Sequence, residues 1–206
     1  MQKKLLIPIV IVVIAAIAAI AYVQSQAAID LSGKKALVVL FEGYQPKEFK
    51  PVYNKLTSLK ATVKVLAANQ TIDVEYDYYI LEVNFTQLAK EYDALILIGG
   101  PGVYLRVMGM VEDPAVELVG QLAQAFHSEG KLVAAICAAP AILAKAGLLN
   151  GLKATCFKNQ DLISTLESFG AIYVDKPVVL SDNILTSQGP NTAEQYANEI
   201  AKLLSS

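Results

Sequence analysis

The chain has 206 residues, 54% of them apolar, and a formal net charge of −2. No Lys/Arg run exceeds the pairs Lys3-Lys4 and Lys34-Lys35, which excludes a nucleic-acid surface built on a concentrated basic stripe. Two cysteines, Cys137 and Cys156, are too few for a disulfide scaffold, and the single histidine, His127, excludes a multi-histidine metal site.

The first segment stands apart. Lys3 and Lys4 precede an uncharged apolar run from Leu5 to Val23, about 28 Å long as a helix and thus long enough to span a bilayer. Residues 1–25 therefore read as a transmembrane anchor in contact with membrane lipid through Leu5 to Val23, or as a signal segment. The run is longer than a usual signal core, whereas Ser25-Gln26-Ala27 resembles a small-residue cleavage site. The positive residues ahead of the run predict a single-pass protein with its domain outside the cytoplasm, and the Lys34-Lys35 pair weighs against that orientation. Residues 26–34 read as a linker.

The domain, residues 35–206, opens with an apolar strand over Lys35 to Phe41. Pro46 is placed to start a helix reaching about Leu59, and Thr62 to Ala67 alternates as a β-branched second strand. Thr71 to Val83 mixes Tyr, Ile and Val with acids, a peripheral hairpin or an irregular edge strand. A short helix is predicted over Phe85 to Lys90, then a continuous apolar strand from Ala94 to Ile98 ending at Gly99-Gly100-Pro101-Gly102. Asp113-Pro114 starts a helix that closes near Gly130, and Leu132 to Ile136 is the most buried strand by composition. A helix over Pro140 to Ala146, a strand over Lys153 to Cys156 and a helix over Gln160 to Phe169 follow. Strands around a Ser181-Asp182-Asn183 turn fill Ile172 to Ser187, and a last helix covers Ala193 to Leu204. Apolar strands alternating with amphipathic helices predict an α/β, flavodoxin-like three-layer sandwich with a mostly parallel sheet.

Sites in such sheets form beyond the carboxyl ends of the strands. There, Ala134-Ala135-Ile136-Cys137-Ala138-Ala139-Pro140 delivers Cys137 from a buried strand straight into a helix start, flanked by small residues that leave room for a tight turn, a nucleophile elbow. Oriented N–H groups at a helix start favour thiolate. The alternative is a cysteine serving as a small core hydrophobe. Gly100, directly after a strand, lets backbone approach a ligand, and its N–H with that of Ala138 could form an oxyanion hole; the alternative is an ordinary strand-end turn. The glycines match neither a phosphate loop nor a dinucleotide fingerprint, so no cofactor is expected.

Tyr92-Asp93-Ala94-Leu95-Ile96-Leu97-Ile98-Gly99-Gly100 and Gly130-Lys131-Leu132-Val133-Ala134-Ala135-Ile136-Cys137-Ala138-Ala139-Pro140 together resemble the ThiJ/PfpI superfamily. The likeness continues through Gly147-Leu148-Leu149-Asn150-Gly151, Ala154-Thr155-Cys156 and Leu185-Thr186-Ser187-Gln188-Gly189-Pro190, covering Lys35 to Leu204. It implies a class I glutamine amidotransferase-like domain, Cys137 as the site residue and homo-oligomers. It also implies an acidic partner for the cysteine on the first helix, which maps to Glu48, with Glu42 as the rival. A carboxylate beside a thiolate is electrostatically unfavourable, so the pair is expected to share one proton, with Glu48 protonated and donating to sulfur.

The departures from that group narrow the function. Its protease-like members carry a histidine directly after the cysteine, where this chain has Ala138. Its deglycase-like members carry one beyond the following strand, where this chain has Phe157. His127 reads as a solvated surface residue far from the site. Peptidase activity is therefore not expected, while glyoxalase- or deglycase-like action on a small carbonyl substrate needs only Cys137, Glu48, Gly100 and Ala138. Two other readings stand beside it: a redox-sensing or chaperone-like protein without turnover, with Cys156 as second thiol or merely a core residue, and a binding module that has lost its chemistry.

Overall fold

The computed structural model describes residues 29–206. The apolar run Leu5 to Val23 and its predicted orientation lie outside the described residues, and among the described residues no helix is long and apolar enough to cross a membrane. The segment read as a linker is already part of the domain at its end. Leu31 is fully buried, and its N–H donates to the Leu59 carbonyl at 2.7 Å.

The elements run β1 (Lys35–Leu40), α1 (Pro46–Ser58), β2 (Thr62–Ala67), β3 (Tyr78–Tyr79), α2 (Phe85–Glu91), β4 (Ala94–Leu97), α3 (Pro101–Val107), α4 (Ala115–Ser128) and β5 (Leu132–Ile136). They continue with α5 (Pro140–Lys145), β6 (Lys153–Ala154), α6 (Gln160–Ser168), β7 (Ile172–Tyr173), β8 (Val178–Ser181), β9 (Ile184–Ser187) and α7 (Ala193–Ser205). Seven strands form one sheet in the order β3-β2-β1-β4-β5-β9-β8. All neighbours are parallel except β8 against β9, which pair antiparallel across the predicted turn at Asp182. Alternate residues of each central strand feed two separate cores, because successive side chains point to opposite faces. Leu37, Val39, Leu95, Leu97, Val133 and Ala135 meet α2, α4, α5 and α6 on one face. Ala36, Val38, Leu40, Ile96, Ala134 and Ile136 meet α1 and α7 on the other. The result is the three-layer α/β sandwich with a mostly parallel sheet.

Three details sharpen or correct the sequence reading. Of the two readings of Thr71 to Val83, the irregular edge strand holds and the hairpin does not: only Tyr78 and Tyr79 pair, parallel to β2 at the edge of the sheet, and a 3-10 turn over Ile80–Glu82 follows. The strand read over Lys153 to Cys156 is two residues long and joins β7 in a separate two-stranded sheet. The glycine-rich turn after β4 leads directly into α3, with Pro101 at its first position.

That helix seats its amino end against the loop after β1. Gly43 O accepts from Gly102 N at 3.0 Å, and a Cβ on Gly102 would lie 1.8 Å from the Glu42 carbonyl oxygen. Alanine is ordinarily favoured over glycine inside a helix by up to about 1 kcal/mol. Here the clash is with backbone and has no side chain to yield, so Gly102→Ala is expected to destabilise the fold by roughly 2–4 kcal/mol. A urea midpoint equal to or above that of the unmodified chain would show that α3 can move away freely.

Candidate functional site

The carboxyl ends of β1, β4 and β5 converge on Cys137, the residue after β5. Its φ of 67° is in the left-handed region, uncommon for any residue but glycine. Two backbone bonds hold it there: its N–H donates to Ser187 O, and its carbonyl accepts from Phe157 N–H, both at 2.9 Å. Small neighbours are required on sterics alone. Ala138 and Ala139 are buried, and a Cβ on Gly99 would come within 2.6 Å of the Cys137 Cβ.

Glu48 reaches the sulfur from α1, in whose first turn it lies, after the Gln45 cap and Pro46. Its side chain is completely buried. Oε2 accepts from Gly99 N–H at 3.1 Å, and the carboxyl hydrogen-bonds the Cys137 side chain. Oε1 has no hydrogen-bond partner among the described residues, and neither does the buried Tyr196 hydroxyl on α7. Glu42, the rival, is engaged elsewhere: half-exposed, it pairs with Arg106 at 3.1 Å. The Arg106 guanidinium also holds Asp113 at 2.6 Å and donates to the carbonyls of Glu42 and Gly102, fastening α3 to the loop after β1.

Electrostatics at the pair follow from burial without a cation. Burial raises the Glu48 carboxyl to about 7, against smaller opposing effects of the Cys137 and Gly99 hydrogen bonds. Burial also raises the Cys137 thiol, and the Glu48 charge raises it further, whereas the backbone N–H groups of Ala138 and Gly100 pull the other way. Those two N–H groups thus face the same sulfur from different elements. The helix-start donors are present, as expected, but burial and the carboxylate outweigh them, so the free thiol is not acidic.

The sulfur opens into a cleft of about 440 Å³, lined by residues that include Gly100, Tyr104, Leu105, Phe157, Asn159 and Leu162. Tyr104 and Leu105 are not legible in the sequence as site residues, because Gly99-Gly100-Pro101-Gly102 reads as a turn; Pro101 directly after Gly99-Gly100 is the signal that a helix starts there. Cys156 is fully buried in the core on the α2, α4, α5 and α6 side of the sheet, its thiol pushed up to about 12 by burial and then by Glu167. It does not line the cleft. His127 lies in the last turn of α4, at the amino end of β5 and so across the sheet from Cys137. It is half-buried, with Nδ1 unpartnered among the described residues, rather than solvated. Among the described residues no group of His, Cys, Asp and Glu side chains is placed to hold a metal ion.

Residues 34–203 match the DJ-1/PfpI family. The chain is 34% identical to protein dj-1beta of Drosophila melanogaster over 83% of its own length and 89% of that protein. It is also 34% identical to a protein named deglycase PfpI of Pyrococcus furiosus, covering 68% of this chain and 76% of that one. Drosophila DJ-1beta in its crystal structure superposes with a TM-score of 0.67 at 33% identity, over 84% of this chain and 90% of that one.

The pair gives the fold a pH signature. A carboxyl raised from 4.5 to about 7 on folding binds more protons in the native than in the unfolded state between those values. Its contribution to stability is therefore greatest below the unfolded value and is lost as pH rises through about 7. Glu48→Gln carries no charge to desolvate. Between pH 4.5 and above 7, unfolding free energies should shift in favour of that variant by up to about 3 kcal/mol. Parallel pH profiles for the two proteins would mean that Glu48 is ionised in the folded state at little cost.

Proposed function

The chain belongs to the DJ-1/PfpI family, and from that premise we propose that it converts small 2-oxoaldehydes to 2-hydroxy acids, with Cys137 as nucleophile and Glu48 as proton carrier. One observation carries the reading: a buried, protonatable carboxyl and two backbone N–H groups all face one sulfur at the floor of a cleft. Relatives named glutathione-independent glyoxalase DJR-1.2, in Caenorhabditis elegans, and deglycase PfpI support the substrate class.

The chemistry balances without an external oxidant. Sγ adds to the aldehyde carbon while its proton passes to the Glu48 carboxylate, and the carbonyl oxygen takes negative charge between the N–H groups of Gly100 and Ala138. Glu48 hands that proton to the oxygen, completing a hemithioacetal. The carboxylate then removes the hydrogen from the former aldehyde carbon, and the adjacent carbonyl oxygen takes the negative charge as an enediolate. Glu48 returns that proton to the adjacent carbon while the hydroxyl proton of the former aldehyde passes to the neighbouring oxygen, which gives the thioester of the 2-hydroxy acid. Water hydrolyses the thioester and the thiol is restored. Because burial keeps the thiol protonated, its proton must leave as the bond forms, and a carboxylate titrating near 7 is suited to that transfer.

Peptide hydrolysis asks for more. The leaving amine needs a general acid, and neither Ala138 nor Phe157 can supply one. The same N–H pair would hold sulfinate oxygens on an oxidised Cys137, which favours redox sensing, with or without a chaperone-like role, as the second reading. Homo-oligomerisation belongs to the proposal on family kinship alone.

The reading extends to location. Lys3-Lys4 ahead of the apolar Leu5 to Val23 supports a single-pass tether with the domain outside the cytoplasm. Protease added to intact spheroplasts should then digest the domain. Digestion only after lysis, with an extracytoplasmic control protein cut, would reverse the orientation.

Turnover is tested on the purified domain. It should convert methylglyoxal to lactate weakly, with a rate that rises as pH passes about 7, and Cys137→Ala should abolish it. Casein should remain uncut. Casein hydrolysis that depends on Cys137 would sink the argument from the missing histidines. No conversion of any 2-oxoaldehyde, with Cys137 oxidised by mild peroxide well before Cys156, would favour the redox reading instead.

A further inference from the structure

The walls of the cleft carry information that the reacting groups do not. Its lining includes Pro101, Leu105, Phe157, Leu162 and Pro190, and among the described residues it includes no Lys, Arg, His, Asp or Glu. Phe157 remains 46% exposed and Leu105 39% exposed, so both present apolar surface to the opening. Phe157 is tied to the reacting residue, since its N–H donates to Cys137 O at 2.9 Å. Its ring also rests on a glycine: a Cβ on Gly189 would lie 3.1 Å from Phe157 Cδ2.

Cys137 apart, the polar side chains of the lining are two amides and a phenol rather than charges. Gln45 Oε1 accepts from Lys47 N–H at 3.2 Å and Asn159 Oδ1 from Asp161 N–H at 2.8 Å, and the charged groups beside the mouth are paired or negative. Tyr104 hydroxyl donates to Asp161 Oδ2 at 2.8 Å, joining α3 to α6. Lys158, next to Phe157, is paired with Asp175 at 2.8 Å. Beneath the sulfur, Glu48 becomes anionic above about pH 7. An anionic substrate would thus meet no free cation among these groups and would approach the carboxylates of Asp161 and Glu48, which no cation pairs among the described residues. A neutral one with an aryl or branched alkyl group would cover the exposed faces of Phe157 and Leu105 and release the water over them.

Resting on the carbonyl chemistry proposed above, we infer that the cleft selects neutral 2-oxoaldehydes bearing an aryl or branched alkyl group, and that Phe157 and Leu105 are the residues that set this preference. A phenyl-substituted 2-oxoaldehyde places its two carbonyls over Cys137 and its ring against Phe157. The same wall discriminates against 2-oxoacids and phosphorylated carbonyls, whose charge would be desolvated without a partner.

Two measurements separate this inference from the reading it rests on. In the first, the purified protein is given phenylglyoxal, methylglyoxal and 4-carboxyphenylglyoxal. We expect kcat/KM for phenylglyoxal to exceed that for methylglyoxal by about tenfold or more, the equivalent of about 1.4 kcal/mol, with the carboxylated analogue used far less well than phenylglyoxal. Phe157→Ala and Leu105→Ala should each bring the ratio down. The second needs no turnover: alkylation of Cys137, followed by peptide mass spectrometry, with N-phenylmaleimide, N-methylmaleimide and a maleimide carrying a carboxylate. Each rate is normalised to a free thiol. The order should be phenyl, then methyl, then carboxylate, and Phe157→Ala should remove the phenyl advantage. Equal normalised rates for all three reagents, or turnover with no aryl preference, overturn the inference and leave the carbonyl reading intact. The expected alkylation order without turnover of any aldehyde upholds the apolar selectivity and removes the enzyme reading.

Discussion

A carboxyl group sealed under a thiol, with no cation among the described residues to balance it, is the constraint around which this site is arranged. An unpaired buried charge is costly, and a protein avoids that cost by holding the proton. Glu48 is offered one backbone N–H, from Gly99, and the side chain of Cys137. Neither neutralises it. Carboxyl and thiol therefore compete for negative charge, and each raises the energy of ionising the other. Their titration belongs to the pair, and a proton held on either is available to the other across a single hydrogen bond.

The same place is where the backbone is most crowded. Three strand ends meet, and the chain passes so close to itself that Gly99, Gly100 and Gly102 could not carry a Cβ without meeting main-chain atoms. Gly100 adopts φ 134°, which only glycine holds readily, and so turns its N–H toward the sulfur. Cys137 is itself in an unfavourable φ region, held by backbone bonds to the ends of two other segments. Crowding and strain thus have a common effect: both N–H groups reach the sulfur from fixed backbone and need no reorganisation to meet negative charge there. Arg106 secures the arrangement from outside by tying α3 to the loop after β1.

Much of this was legible in the amino-acid sequence, for physical reasons that also explain where legibility stopped. The central strands β1, β4 and β5 are buried on both faces, so they read as unbroken apolar runs. Their parallel direction followed from the alternation with helices, whereas their order in the sheet did not. Glycine and alanine at the strand ends betrayed close backbone approach. By contrast, α3 is seven residues long, too short for a periodic apolar face to emerge beyond Gly99-Gly100. The strands β3, β6 and β7 have two residues each, and their pairing comes from tertiary contact rather than local preference. The thiol was misjudged in a different way. A helix start is visible in sequence, whereas the depth at which the sulfur lies, and the burial of Glu48 beside it, exist only once α1 is packed against the sheet.

Position 157 connects the architecture to the chemistry. The resemblance to deglycase-like proteins implies a histidine there; in this chain the side chain is an exposed phenylalanine whose N–H holds the Cys137 carbonyl. The exchange removes a titratable group from the mouth of the cleft and puts an apolar face in its place, so both changes act on the same approach path. Reactions that need a second proton donor lose it. Steps that one carboxyl can serve in turn remain open, because Glu48 lies beneath the sulfur and not at position 157. Loss of the histidine therefore does not simply weaken the site: it restricts the chemistry to steps that one proton carrier can perform, while the phenyl ring enlarges the apolar surface available to whatever the thiol attacks.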